Sequence, residues 1–150
     1  MKKAFKKLSL IFILLFFSLT NLYAAEIKIS GNKRIDIETI KVYGDISLKS
    51  SYSNEELNKI LKNLYSTNFF EDIKISFNNN ILSITVIEYP IVNTITIEGE
   101  KANKTIDALK KDILSKEKDS FIKSNISKDI LTIKRIYETM GFNRMEIDTK

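Results

Sequence analysis

The chain has no cysteine, no histidine and no tryptophan, a single proline and only four glycines in 150 residues. Without cysteine no disulfide can brace the fold, so stability has to come from packed apolar cores. Without cysteine and histidine, the common zinc sites and both nucleophile–histidine arrangements cannot be built. Four scattered glycines leave no glycine-rich phosphate loop. The acid pairs Glu55-Glu56 and Glu71-Asp72 belong to no recognisable catalytic motif. No nucleophile, base and orienter stand together, so the expectation is a protein that is not an enzyme and uses no cofactor and no metal.

A true excess of positive charge is lacking as well. The formal charge is +5, but Lys2, Lys3, Lys6 and Lys7 supply four of those charges and residues 1–24 hold no acid. The remainder carries +1, with lysines and acids interspersed, which is no footprint for nucleic acid. The basic start is followed by the apolar run Leu8–Phe17 and a more polar stretch ending in small residues at Ala24-Ala25. This order matches a secretory signal peptide over 1–24 with cleavage after Ala24. A bilayer-spanning helix needs roughly 20 apolar residues, and the run fails at Ser18, Thr20 and Asn21. No cysteine stands near the cleavage point to carry a lipid.

What the sequence does contain is a repeat. Ile27-Lys28-Ile29 leads to Gly31-Asn32-Lys33, and Ile95-Thr96-Ile97 leads to Gly99-Glu100-Lys101. Further on, Leu64-Tyr65 through Ile75 answers Ile136-Tyr137 through Ile147. A period of about 70 residues is too long for most solenoid units and suits a small domain used in series.

The first unit reads β-α-α-β-β. Glu26–Ser30 alternates as a half-buried strand and ends at the Gly31-Asn32 turn. Ile37 and Ile40 lie on a short helix expected to close at Gly44 in a left-handed conformation. Ser53-Asn54-Glu55-Glu56 is a capping box, and Leu57, Ile60, Leu61 and Leu64 form one apolar face behind it. Asn68 is the expected terminator. Asp72–Phe77 alternates, Asn78-Asn79-Asn80 is a turn, and Ile81–Ile87 is the expected central strand. Placing that strand in the middle leaves Asp72–Phe77 on an edge. Phe70 is expected in the core, where the helix turns onto the sheet.

Pro90 marks a boundary, giving units over 25–90 and 91–150. Val92–Glu98 reads as the opening strand of the second unit. Helices follow around Ile106, Leu109 and Ile113 and around Ile130, Ile133, Tyr137 and Met140, then a strand at Met145-Glu146-Ile147. Lys110-Lys111 and Lys116–Asp119 read as solvated surface. No counterpart of the central strand is present, so the second unit reads as truncated and the chain as a piece of a longer protein.

The β-α-α-β-β order and tandem repeat resemble POTRA domains, and specifically the N-terminal periplasmic arm of the BamA/Omp85 family of outer-membrane protein assembly factors. Leu61 through Ile75 carries the resemblance most strongly, with Val86-Ile87-Glu88-Tyr89-Pro90 at the junction and Ile95–Lys101 opening the second unit. The glycine usual after the second helix is Asn68 here. The resemblance implies an α+β fold of tandem POTRA domains, each a three-stranded mixed sheet with two helices on one face. It implies a location at the periplasmic face of the outer membrane and a C-terminal membrane barrel that this chain does not contain. It also implies partners: unfolded outer-membrane protein precursors, a periplasmic chaperone, and accessory lipoproteins reached through the full-length protein. Arms of related Omp85 or two-partner secretion transporters, and a scaffold for accessory proteins, are the alternatives. An exposed edge strand accepts another chain through backbone hydrogen bonds with little demand on sequence. The candidate partner-binding residues are therefore Asp72, Ile73, Lys74, Ile75, Ser76 and Phe77. Asp72 and Lys74 are also the kind of charge that keeps an edge soluble.

Overall fold

The computed structural model describes residues 25–150; the signal-peptide reading of 1–24 lies outside the described residues. The first half of the chain is a three-stranded mixed sheet with two helices. Strand β1 (Glu26–Ser30) leads to helix α1 (Ile37–Gly44) and helix α2 (Asn54–Ser66), then to strands β2 (Phe70–Asn78) and β3 (Ile81–Glu88). The sheet order is β1-β3-β2, with β1 parallel and β2 antiparallel to the central β3. The expected α+β architecture and strand order are the observed ones.

Local chemistry sets these boundaries. Asp36 caps α1 by accepting the Thr39 amide at 2.8 Å. Ser53 and Glu56 close a reciprocal capping box on α2, with bonds of 3.2 and 2.8 Å. Lys49 pairs with Glu56, and that contact together with the Ser53 amide holds the Glu56 carboxyl down at about 2. Asn68 ends α2 with φ +57, as its side chain permits. At α1 the expectation shifts by one residue: Gly44 stays helical and Asp45 takes the left-handed cap at φ +55. Gly44 is small for a packing reason instead, since a Cβ there would lie 2.8 Å from the Ile46 side chain. Asn79 and Asn80, both at positive φ, turn β2 into β3.

One face of the sheet is buried. Ile73 on β2 and Leu82, Ile84 and Val86 on β3 pack against Ile40 of α1 and Ile60 and Leu64 of α2. Phe70 is buried at 2% exposure, and Phe69 stands edge-on to both Phe70 and Tyr43. Gly31 leaves β1 at φ +85 directly against β3, where a Cβ would sit 2.1 Å from the Val86 carbonyl oxygen. The loop that follows is gathered by one carboxylate: Glu88, at the end of β3, accepts the amides of Lys33, Arg34 and Ile35 at 2.8–3.1 Å. Burial pushes the Glu88 carboxyl up, and the three amides with Arg34 outweigh it, holding the group below its ordinary range.

Beyond Pro90 the structure has helix α3 (Asn103–Asp112) and helix α4 (Lys123–Thr139). The strands expected at Val92–Glu98 and Met145–Ile147 are absent; an isolated bridge joins Ile91 to Ser120. An alternating segment becomes a strand only when a neighbour supplies ladder partners, and no strand among the described residues lies where β3 lies in the first half. The segment from Pro90 to Ile95 is tied to the 116–121 loop instead. Pro90 accepts the Phe121 amide, Val92 exchanges bonds with Lys118 and Asp119, and Ile95 donates to Glu117. On the other side of the junction, the Tyr89 amide donates to the Phe69 carbonyl at 2.9 Å.

The charged loop is more than solvated surface. The Lys116 ammonium caps the end of α3 by donating to the Lys110 and Lys111 carbonyls. Buried Asp129 of α4 accepts the Leu114 and Ser115 amides. Tyr137, the repeat partner of Tyr65, donates to Glu100 at 2.6 Å.

Candidate functional site

Among the described residues, strand β2 has a ladder partner on one side only. Its pairing with β3 sets Lys74 opposite Thr85, Ile75 opposite Ile84 and Ser76 opposite Ser83, and breaks at a bulge between Phe70 and Asp72. In an antiparallel pair, successive residues turn their backbone groups alternately toward and away from the partner. The Ile73 amide faces away from β3, because it donates to the Tyr65 hydroxyl at 3.1 Å. The two-residue alternation then turns the N–H and C=O of Ile75 and Phe77 outward too.

The side chains follow the same alternation. Ile73 is buried, Ile75 and Phe77 are half-buried against the helices, and Lys74 and Ser76 lie exposed on the open face. Phe77 packs on Tyr52 with ring centroids 5.3 Å apart. Asp72 is half-buried and accepts the Tyr65 hydroxyl at 3.4 Å. The candidate stretch Asp72–Phe77 is thus one continuous piece of edge, with the backbone of Ile75 and Phe77 presented outward. β1 is the opposite edge and is shorter, with five residues against nine.

Tyr65 was not among the residues expected to matter at this edge. Its repeated counterpart at Tyr137 signals a position that recurs. Which group the hydroxyl reaches is set by the fold, which brings the end of α2 over the start of β2. No group of three or more potential metal ligands occurs among the described residues, and no described helix is long and apolar enough to cross a membrane.

With the geometry in hand, comparison with known proteins identifies the architecture. Over 128 residues, 83% of its length, the chain is 27% identical to the outer membrane protein assembly factor BamA of Neisseria meningitidis serogroup B. Over 76 residues, 51% of its length, it is 29% identical to the outer membrane protein assembly factor BamA of Neorickettsia risticii. The N-terminal domain of Omp85 from the thermophilic cyanobacterium Thermosynechococcus elongatus superposes with a TM-score of 0.51 at 13% identity, over 77% of this chain and 50% of that one. The chain has the POTRA fold and is similar to BamA over most of its length. It spans 16% and 10% of the lengths of the two BamA relatives. POTRA1-2 of the periplasmic domain of Omp85 from Anabaena is a further similar structure, with a TM-score of 0.45 at 12% identity and 84% of each chain covered. No family model matches the chain. In this POTRA segment the first half supplies the complete sheet, and its free β2 edge is the candidate functional site.

Proposed function

We propose that this POTRA segment is the periplasmic arm of an outer-membrane assembly protein, and that it binds or guides unfolded β-barrel precursors by adding their strands to β2. In this reading residues 1–24 direct export and are removed, 25–90 and 91–150 are successive POTRA units, and a membrane barrel belongs to the parent protein. A delivering chaperone and accessory lipoproteins are the further partners. The segment binds rather than catalyses.

The observation that carries the reading is the β2 edge, whose outward groups at Ile75 and Phe77 are presented as a row. Such groups reward any chain able to extend beside them, whatever its side chains. That suits clients that differ in sequence and share a capacity for β-structure. The names of the BamA relatives support the same reading.

The test places a photo-reactive amino acid at Lys74 or Ser76, with Lys128 on α4 as the control. A urea-unfolded outer-membrane barrel protein is diluted onto each variant and irradiated. Crosslinks at Lys74 and Ser76 well above the Lys128 level are expected. Equal yields at all three positions would refute strand addition at this edge, and a stable adduct with one folded periplasmic protein instead would favour a scaffold.

A further inference from the structure

We infer that Tyr65 sets where strand addition at β2 must stop, which rests on the reading of β2 as a docking edge. Its hydroxyl oxygen lies 3.1 Å from the Ile73 amide nitrogen. A carbonyl of an added strand would stand about 2.9–3.0 Å from the same nitrogen, because that is the ordinary length of a ladder bond. The Tyr65 oxygen therefore occupies the place of a partner strand's carbonyl. An added strand runs about 4.7–4.9 Å from its neighbour, so it cannot pass Ile73 while the hydroxyl is there.

The arrangement is held from both sides. Tyr65 sits in the last turn of α2, whose end is fixed by the left-handed Asn68. Asp72 accepts the hydroxyl proton at 3.4 Å, which leaves an oxygen lone pair for the Ile73 amide. Immediately upstream the bulge between Phe70 and Asp72 breaks the alternation. Bulge and tyrosine together close the α2-proximal end of the edge. What stays open is the Ile73 carbonyl and both backbone groups of Ile75 and Phe77. A client is thereby confined to a short register beside Lys74–Phe77, with its inward residues next to Ile75 and Phe77 and its outward residues next to Lys74 and Ser76.

The second half of the chain shows that the position is not tied to one partner. Tyr137 occupies the corresponding place in the repeat and donates to Glu100, not to a strand-bound carboxylate.

The test compares the full chain with its Tyr65→Phe variant, which keeps the ring and removes the oxygen. The probe is a synthetic nonapeptide of alternating valine and threonine carrying a photo-reactive group at its centre. Amide exchange of β2 is followed by NMR with and without peptide. In the unaltered chain, the peptide should slow exchange at Ile75 and Phe77 and leave Ile73 as it was. In Tyr65→Phe, Ile73 should exchange fast alone and be protected by peptide. Binding should tighten about threefold to tenfold, the size of one added backbone bond, and crosslinks should shift toward Ile73. The Leu64 and Phe70 signals report that the core is intact. Protection at Ile75 and Phe77 with an unchanged register and affinity in the variant would overturn the role of Tyr65 alone. No protection at Ile75 or Phe77 in either protein would overturn the docking edge, and the inference with it.

Discussion

Gly31 and Gly99 hold the same place in the repeat and the same left-handed backbone, at φ +85 and +88, yet alanine should have very different effects at the two. At Gly99 nothing lies within 4 Å of the new Cβ, so only the backbone term remains. A non-glycine residue in the left-handed region costs about 1–2 kcal/mol. At Gly31 the same term applies, and the Cβ also arrives 2.1 Å from the Val86 carbonyl oxygen, with the Val86 carbon at 3.2 Å. Both contacts are backbone atoms of the central strand, so no side chain can rotate away; β1 must separate from β3. Overpacking of this kind costs about 1–3 kcal/mol. The total for Gly31→Ala is therefore about 2–5 kcal/mol, against a stability that is small for a unit of this size. Urea unfolding followed by circular dichroism and by tyrosine emission, the chain having no tryptophan, measures the difference. With a urea slope of about 1–3 kcal/mol per molar, Gly31→Ala should lower the midpoint by about 0.7 M or more, on the order of twice the shift at Gly99→Ala or beyond. Equal midpoints for the two variants would show that the approach of Gly31 to Val86 is not the constraint described.

Glu88 gives the pH dependence. Its carboxyl is held below the ordinary 4.5, so its stabilisation is present above that pH and is lost as pH falls through the folded value. Glu88→Ala should cost about 2–4 kcal/mol by leaving three amides without their charged acceptor, while Glu88→Gln should cost less and flatten the acid limb of a stability–pH curve. In the second half, the hydrogen bond to Glu100, with a smaller contribution from burial, raises the Tyr137 hydroxyl from 10.0 to about 12. Glu100→Gln should bring its titration back toward 10.0, read as tyrosinate absorbance, and an unchanged curve would show that the contact does not form.

Much of the first half was legible because its signals are local. The capping box at Ser53 and Glu56 and the spacing of Leu57, Ile60, Leu61 and Leu64 each lie within a few residues, and β-branched Ile81–Ile87 marks the strand that is buried between two others. The edge position of β2 followed from that central placement. The failures are non-local. Val92–Glu98 alternates as well as β1 does, but alternation says only which face would be buried, and strand formation needs a neighbour. Asp45 rather than Gly44 takes the left-handed cap, while Gly44 stays helical and passes close to Ile46, a contact that composition cannot reveal. Glu88 and Tyr65 look like ordinary surface residues in sequence. Their roles depend on amides 53 to 55 residues upstream for the first and eight downstream for the second.

The junction at Pro90 has a mechanical meaning. The Tyr89 amide is anchored on Phe69, and the Pro90 carbonyl is anchored on Phe121. Between these anchors the chain keeps few free torsions, and proline both fixes its own φ and holds Tyr89 extended. Phe69 directly precedes the first residue of β2. A pull along β2 is therefore delivered at once to Tyr89, with no slack segment to absorb it. The chain would carry tension across Pro90 as a stiff link does.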